Sequence, residues 1–373
     1  MFNWAKQQLA NVAGTEEPIY GPSAIQTVSE QAKTTPYTEL KREDLKWFQQ
    51  GGTNVETQVF YFTADSGHIG MVQIIYSSLA GIRKTAQLTS KIIYPDQSKP
   101  ILWSSDPLEN WSFEDGVSLK AQGCSITLSP DGNSYTIKST LNKNTVLDLK
   151  VHRTAPGFVV GKDGTTHFGT DPQNPWGSMR HAFWPRCKVE GNILTQAGPV
   201  DFSGKGIFIH ALQGMKPHHA AARWNFVNFQ APTYTAVMME YTTPPSYGST
   251  TVNVGCIATD EKILFAGANN TATHTSTKTD PEIGWPEPTA FKFEWTSGTS
   301  KAVLEGPYGP RIDRVDVMAE VPGFVKTIVA SAVGTKPYIY QFLPKPELVI
   351  DHEGQQHREH GTLFTEATFI SGQ

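Results

Sequence analysis

Residues 124–152 read CSITLSPDGNSYTIKSTLNKNTVLDLKVH, and this stretch decides the fold class. Ile126 and Leu128 alternate with Ser125 and Thr127 before Pro130, Asp131, Gly132 and Asn133 supply a turn. Residues 134–141 return, Asn142, Lys143 and Asn144 turn again, and a third run puts Leu147, Leu149 and Val151 on one face. A period of two, broken only by turn residues, predicts an antiparallel meander with one buried face.

The same pattern extends in both directions. Runs of β-branched and aromatic residues stand at 59–63, 69–76, 84–94 and 101–103. After a Pro- and Trp-rich connection at 171–185 they resume at 188–195, 207–213, 223–229, 237–242, 252–258 and 263–266. Further runs stand at 291–295, 303–305, 311–320, 325–332, 338–343, 348–352 and 362–370. The fold class read here is all-β. About twenty short strands exceed one small barrel, and two antiparallel barrels of about eight to ten strands fit the length. The expected division is an amphipathic helix at 1–14, a tether and lead-in at 15–54 with a short helical stretch at 23–32, and barrels at 55–217 and 218–373.

The amino end differs from the rest. At 100° per residue, Met1, Ala5, Leu9 and Val12 share one side with Phe2 beside them, Trp4 flanks that arc, and Asn3, Lys6, Gln7 and Asn11 lie opposite. This is a short interfacial helix, with Met1, Phe2, Trp4, Ala5, Leu9 and Val12 as its membrane-facing residues. No run of about 18 apolar residues exists to span a bilayer as a helix.

Composition removes several function classes. The 373 residues carry 31 Lys plus Arg against 35 Asp plus Glu, a formal net charge of -4 that offers no field for nucleic acid. Three cysteines without a Cys-x-x-Cys pair suit a reducing compartment and leave no thiolate zinc site. Gly157 to Lys162 lacks phosphate-loop spacing, and His352 with His357 is one residue too long for a zincin helix. His181, His210, His218 and His219 read as ordinary polar histidines. Asp-Pro-x-x-x-Trp occurs three times, ending at Trp111, Trp176 and Trp285. It reads as a turn that folds a Trp over a sheet edge, with a duplicated module as the alternative.

Several stretches resemble the fungal survival-factor family: ETQVFYFT at 56–63, IFIHALQGMKPHH at 207–219, MEYTTPPSYG at 239–248, DRVDVMAEV at 313–321 and TKPYIYQ at 335–341. The resemblance covers nearly the whole chain. It implies a tandem lipocalin-like (calycin) protein of the cytosol that supports growth under oxidative stress, binds ceramide and carries it from endoplasmic reticulum to Golgi. It further implies that the amino-terminal helix, acetylated on Met1, attaches the protein peripherally to those membranes. No catalytic motif, cofactor or metal comes with it.

A carrier is physically required for such a lipid, because each exposed methylene costs about 0.8 kcal/mol. A barrel's alternation puts every second side chain in the lumen. On 223–229 one face is Arg223, Asn225, Val227 and Phe229, the other Trp224, Phe226 and Asn228. On 237–241 the sets are Met238 with Glu240, and Val237, Met239 with Tyr241. Either set can face in, so Trp224, Asn225, Phe226, Met238, Glu240 and Tyr241 are the candidate lipid-binding residues. Two other classes share the fold: a lipid-modifying enzyme similar to bacterial isoprenoid hydratases, with Glu240, Asp313 or Asp316 as its acid, and a stress scaffold that binds protein partners.

Overall fold

The computed structural model describes residues 2–13, 17–95, 99–320 and 336–372, and within them nearly all regular structure is antiparallel strand. The deciding stretch folds as strands Cys124–Leu128, Ser134–Ser139 and Val146–Arg153. Ile137 lies beside Ile126 on one neighbour and Leu149 on the other, and all three are buried. The period of two therefore gives a one-faced meander, as its side chains require.

That meander belongs to a 16-stranded sheet. Strands Leu102–Pro107, Arg83–Ile93, Ile69–Leu79 and Asn54–Ala64 pair in sequence, and Gly204–Gln213 then bridges Asn54–Ala64 to Gly177–Thr195. Gly177–Thr195 carries the sheet on into Val146–Arg153 and the meander. The sheet curls around a core that includes Phe60, Phe62, Tyr76, Tyr135, Trp184 and Phe208.

Past Gln213 the chain makes a short helix, Pro217–Ala220, and enters two other sheets. One has seven strands with Tyr234–Thr242, Arg223–Gln230 and Thr362–Phe369 at its centre. The other has five, running from Asn270–Thr279 to Gln355–His360. Between them lie Val227, Phe229, Met238, Phe291, Phe293, Trp295 and Tyr340, with the Trp295 Nε1 donating to the Val237 carbonyl at 2.9 Å.

A third cluster joins the two units: Tyr61, Ile207 and Ile209 from the first meet Phe226, Val237 and Phe364 from the second. Arg186, only 1% exposed, reaches across to Asp260 and to the carbonyls of Ala231, Pro232 and Tyr234. Lys91 pairs likewise with Asp313 and donates to Gln341 at 2.6 Å.

Four local expectations are corrected. The connection at 171–185 is mostly strand: Gly177–Thr195 runs through Pro185 because a bulge between Trp184 and Cys187 takes the proline out of register. The lead-in is packed rather than a loose tether, with Ala24, Ile25, Val28, Leu40, Leu45 and Trp47 buried, and its helix is only Val28–Ala32. The run at 311–320 is a strand, Arg311–Asp316, followed by a helical turn, Val317–Glu320. Asn270–Thr279 is an unanticipated strand, since its sequence has almost no apolar alternation. The expected run at 325–332 lies outside the described residues.

Two of the three Asp-Pro-x-x-x-Trp segments do visibly different work. Asp171 caps its own turn while Trp176 donates to the Tyr247 hydroxyl, and Asp280 caps Glu282 and binds Arg314 and Tyr340. Cys124, Cys187 and Cys256 are all free thiols and all buried.

Candidate functional site

The strand faces left open by the sequence separate cleanly. Val227 sits opposite Met238 and Asn225 opposite Glu240, and Val227, Phe229 and Met238 belong to the core between the second unit's sheets. Asn225, Met238 and Glu240 are therefore on the inner face. Phe226 and Tyr241 are instead in the cluster between the two units, with Trp224 packed against it. Trp224 lies 5.2 Å from Tyr241 and 5.7 Å from His181, ring to ring.

At the end of that interior the polar residues converge. Glu240, 8% exposed, accepts from Asn225 Nδ2 at 3.1 Å, Asn253 Nδ2 at 2.9 Å and the Ala272 backbone N–H at 3.1 Å. Asn270 Nδ2 in turn donates to Asn253 Oδ1 at 3.0 Å. Glu240, Asn225 and Ala272 form one wall of a cavity of about 380 Å³ that also meets Trp224, Tyr241, Arg223, His274 and Phe369, with Asn253 and Asn270 behind it. Four of the six candidate lipid-binding residues, Trp224, Asn225, Glu240 and Tyr241, thus share a pocket, whereas Phe226 and Met238 are core residues beside it.

Two further lining groups have unsatisfied donors or acceptors: Arg223 Nε and His274 Nε2 are buried without a partner. Burial, reinforced by Arg223, holds His274 down at about 4, so its imidazole is neutral at pH 7. Arg223 lies 5.7 Å over the Phe369 ring, which stacks on Trp285. The pocket therefore offers a cation, a neutral imidazole, an amide and a carboxylate edge beside aromatic walls. That set matches a polar headgroup with both donors and acceptors. Arg223 shares the Asn225 face, but His274 lies on the strand without an apolar pattern, so only strand pairing reveals it.

The other acids considered are engaged elsewhere. Asp313 pairs with Lys91 and accepts from the Arg314 N–H at 2.8 Å. Asp316 caps the turn Val317–Glu320 through Met318 and Ala319. Among the described residues no group of three or more His, Cys, Asp and Glu side chains is placed to hold a metal ion.

The helix Phe2–Ala13 is turned unusually. Gln7 is fully buried and Ala10 nearly so, while Trp4 is 48% and Leu9 62% exposed, with Ala5 exposed beside them. Gln7 Nε2 donates to His219 Nδ1 at 3.3 Å, Tyr20 donates to Gln7 Oε1 at 3.0 Å, and Lys216 Nζ donates to the Ala10 carbonyl at 3.0 Å. The docked face therefore centres on Gln7 and the small Ala10, while the large apolar Trp4 and Leu9 stay exposed, unlike a helix held by its large apolar residues. The side chains of Met1, Phe2 and Val12 lie outside the described residues. No helix among the described residues is long and apolar enough to cross a membrane.

Curled antiparallel sheets in tandem, with a pocket at the end of one interior, define a tandem lipocalin-like protein. The solved structures share this fold: CghA has a TM-score of 0.61 at 12% identity, covering 94% of this chain and 99% of its own. Kievitone hydratase from Nectria haematococca has a TM-score of 0.55 at 13% identity, covering 95% and 99%. At such identity the likeness speaks to fold alone. The chain belongs to the Svf1 family, whose sequence profile matches residues 2–371. It is 59% identical to the ceramide-binding protein svf-1 of Neurospora crassa, with all of both chains covered. It is 55% identical to the ceramide-binding protein svf1 of Aspergillus fumigatus (99% and 100% covered) and 40% identical to that of Schizosaccharomyces pombe (100% of each).

Proposed function

We propose that this protein is a lipid carrier that binds ceramide or a related sphingolipid and moves it non-vesicularly from endoplasmic reticulum to Golgi, supporting survival under oxidative stress. The observation that carries the reading is full-length similarity, at 40% identity and above, to relatives named for ceramide binding. The names of these relatives favour binding over catalysis.

The headgroup belongs at Asn225, Glu240 and His274, where an amide and hydroxyls find both donors and acceptors. A cavity of about 380 Å³ holds that end and the first methylenes. The driving force is transfer of alkyl surface from water, about 25 cal/mol per Å², so transfer needs no ATP.

The exposed Trp4, Ala5 and Leu9, with Met1, Phe2 and Val12, form the membrane contact. Each large side chain contributes about 1.5–3 kcal/mol on burial against about 1–2 kcal/mol per residue for ordering, so attachment is weak and reversible. With Lys6 its sole cation, the helix has no polybasic face for strongly anionic lipid. Acetylation of Met1 removes a positive charge from the positive end of the helix dipole. The protein is therefore cytoplasmic and peripherally bound to Golgi and endoplasmic reticulum membranes.

Lipid extraction and mass spectrometry of the chain purified from a ceramide-making host tests the reading, together with transfer between liposomes. Co-purified ceramide and ATP-independent transfer are expected. A chain that carries no lipid and moves none overturns the reading in favour of the scaffold.

A further inference from the structure

The first unit has a cavity that the ceramide reading does not use. It measures about 480 Å³ and lies where the segment 38–48 crosses the end of the 16-stranded sheet, with Leu40, Trp47, Phe48, Val159 and Arg180 among its walls. Arg180 is 7% exposed. Its guanidinium donates only to backbone carbonyls, Asp163 O at 2.9 Å and Asp44 O at 3.3 Å, and lies 5.1 Å over the Phe48 ring. Among the described residues no carboxylate forms an ion pair with it. Trp47, 4% exposed, lines the same cavity, and its indole N–H has no partner.

These two observations are independent and point the same way. A buried guanidinium bonded only to backbone carbonyls, with Asp44, Asp163 and Glu56 acting on it through space alone, and a buried N–H without an acceptor both leave a donor for an acceptor, and one anionic group can bond both. The surrounding acids act on Arg180 through space and direct their hydrogen bonds to other donors. Asp163 Oδ1 accepts from Gln31 Nε2 and the Thr165 N–H, Asp44 Oδ2 accepts from the Lys41 N–H, and Glu56 accepts from His210 and two backbone N–H groups. Glu39, Glu43, Lys46 and Lys162 complete the charged rim, and all are exposed and screened. Leu40, Phe48 and Val159 supply an apolar wall for a chain.

We infer that this cavity is a second binding site, for a single-chain amphiphile whose headgroup is an anion, a carboxylate or a phosphate monoester, received by Arg180 and Trp47. The volume lies within the range of about 300–1,000 Å³ usual for small-ligand sites. The assignment does not depend on where ceramide binds, because no wall residue is shared with the Glu240 pocket.

The test uses the full chain and palmitate labelled with ¹³C at its carboxyl carbon. Saturable binding with a shifted carboxyl resonance is expected. Hexadecanol should bind at least tenfold more weakly, and inorganic phosphate at millimolar concentration should not displace palmitate. Arg180→Gln should weaken palmitate binding at least tenfold while leaving ceramide binding as it was. Phe48 is 44% exposed, so Phe48→Glu tests the same point without threatening the fold, by placing a carboxylate over Arg180. It too should cost at least tenfold. Absence of saturable palmitate binding, equal affinity for hexadecanol, phosphate binding alone, or unchanged affinity in folded Phe48→Glu each overturns the inference.

Discussion

Each of the two units holds a buried carboxylate at one end of its interior, and each carboxylate is met by three hydrogen bonds. Glu56 accepts from the Phe48 and Gln49 backbone N–H groups at 2.8 and 3.0 Å and from His210 Nε2 at 2.7 Å. Glu240 accepts from two asparagine amides and the Ala272 N–H. Two of the three donors to Glu56 come from the segment laid over it, pinned where Trp47 stacks on Phe113 at 4.4 Å, and nothing of Glu56 is exposed. Glu240 shares its donors with a cavity wall. The same count of bonds thus fastens a segment in the first unit and, on the proposed function, supports a recognition surface in the second; backbone donors predominate at Glu56 and side-chain amides at Glu240.

The comparison breaks if the two acids respond alike to removal. Glu56→Ala leaves two backbone donors and His210 unsatisfied in the core, and is expected to cost about 3 kcal/mol or more in urea unfolding. Glu240→Gln keeps the shape and part of the bonding. It should weaken ceramide binding about tenfold, or about 1.4 kcal/mol, while lowering stability by less than about 1 kcal/mol. Equal losses of stability in the two variants would falsify the distinction.

A smaller effect concerns the helix docked on Gln7 and Ala10. Its anchor surrounds Glu17, which burial raises to about 7 despite donors from Tyr247 and Ser246, and His218 and His219, which burial lowers to about 4 and about 2. A raised acid favours the docked state fully below its ordinary 4.5, and this contribution is lost as pH rises from there to about 7. Depressed histidines favour it above their ordinary 6.5, and this contribution fades as pH falls below that value. Below 6.5 two histidines outweigh one acid and above it only the acid still changes, so docking should be tightest near 6.5. Amide hydrogen exchange of the helix, corrected for intrinsic rate, should rise a few-fold on either side, and a flat profile from pH 5 to 8 rules this out.

The smallest effect on folding sharpens the contrast between docked and free faces. Leu9 is exposed, so Leu9→Asp should move stability by no more than about 0.5 kcal/mol in thermal unfolding, yet release the chain from pelleted membranes. A variant that still pellets shows that the anchor lies elsewhere.

Legibility followed how many faces an element buries. The meander at 124–152 was readable because each strand buries one face, so Ile126, Ile137 and Leu149 alternate with polar residues. Residues 177–187 are buried on both faces and hold His181, Arg180 and Pro185, so no period of two survives to announce a strand. Glu240 and Asn225 stood out as polar positions in apolar runs. Their alternation defined two faces without saying which looks inward, and only the partition of the core resolved it. His274 and Arg180 carried no local signal, because their significance comes from missing partners rather than from neighbours in sequence.

The three cysteines have a consequence for redox chemistry. Peroxide attacks a thiolate, and burial removes that species at all three positions: the Cys124 thiol is pushed up to about 11, and those of Cys187 and Cys256 are pushed well above their ordinary range. With no thiolate to form a sulfenic acid and no second sulfur in disulfide partnership, the native fold has no thiol switch. These three positions therefore hold their sulfur as protonated thiol, out of reach of peroxide attack on a thiolate.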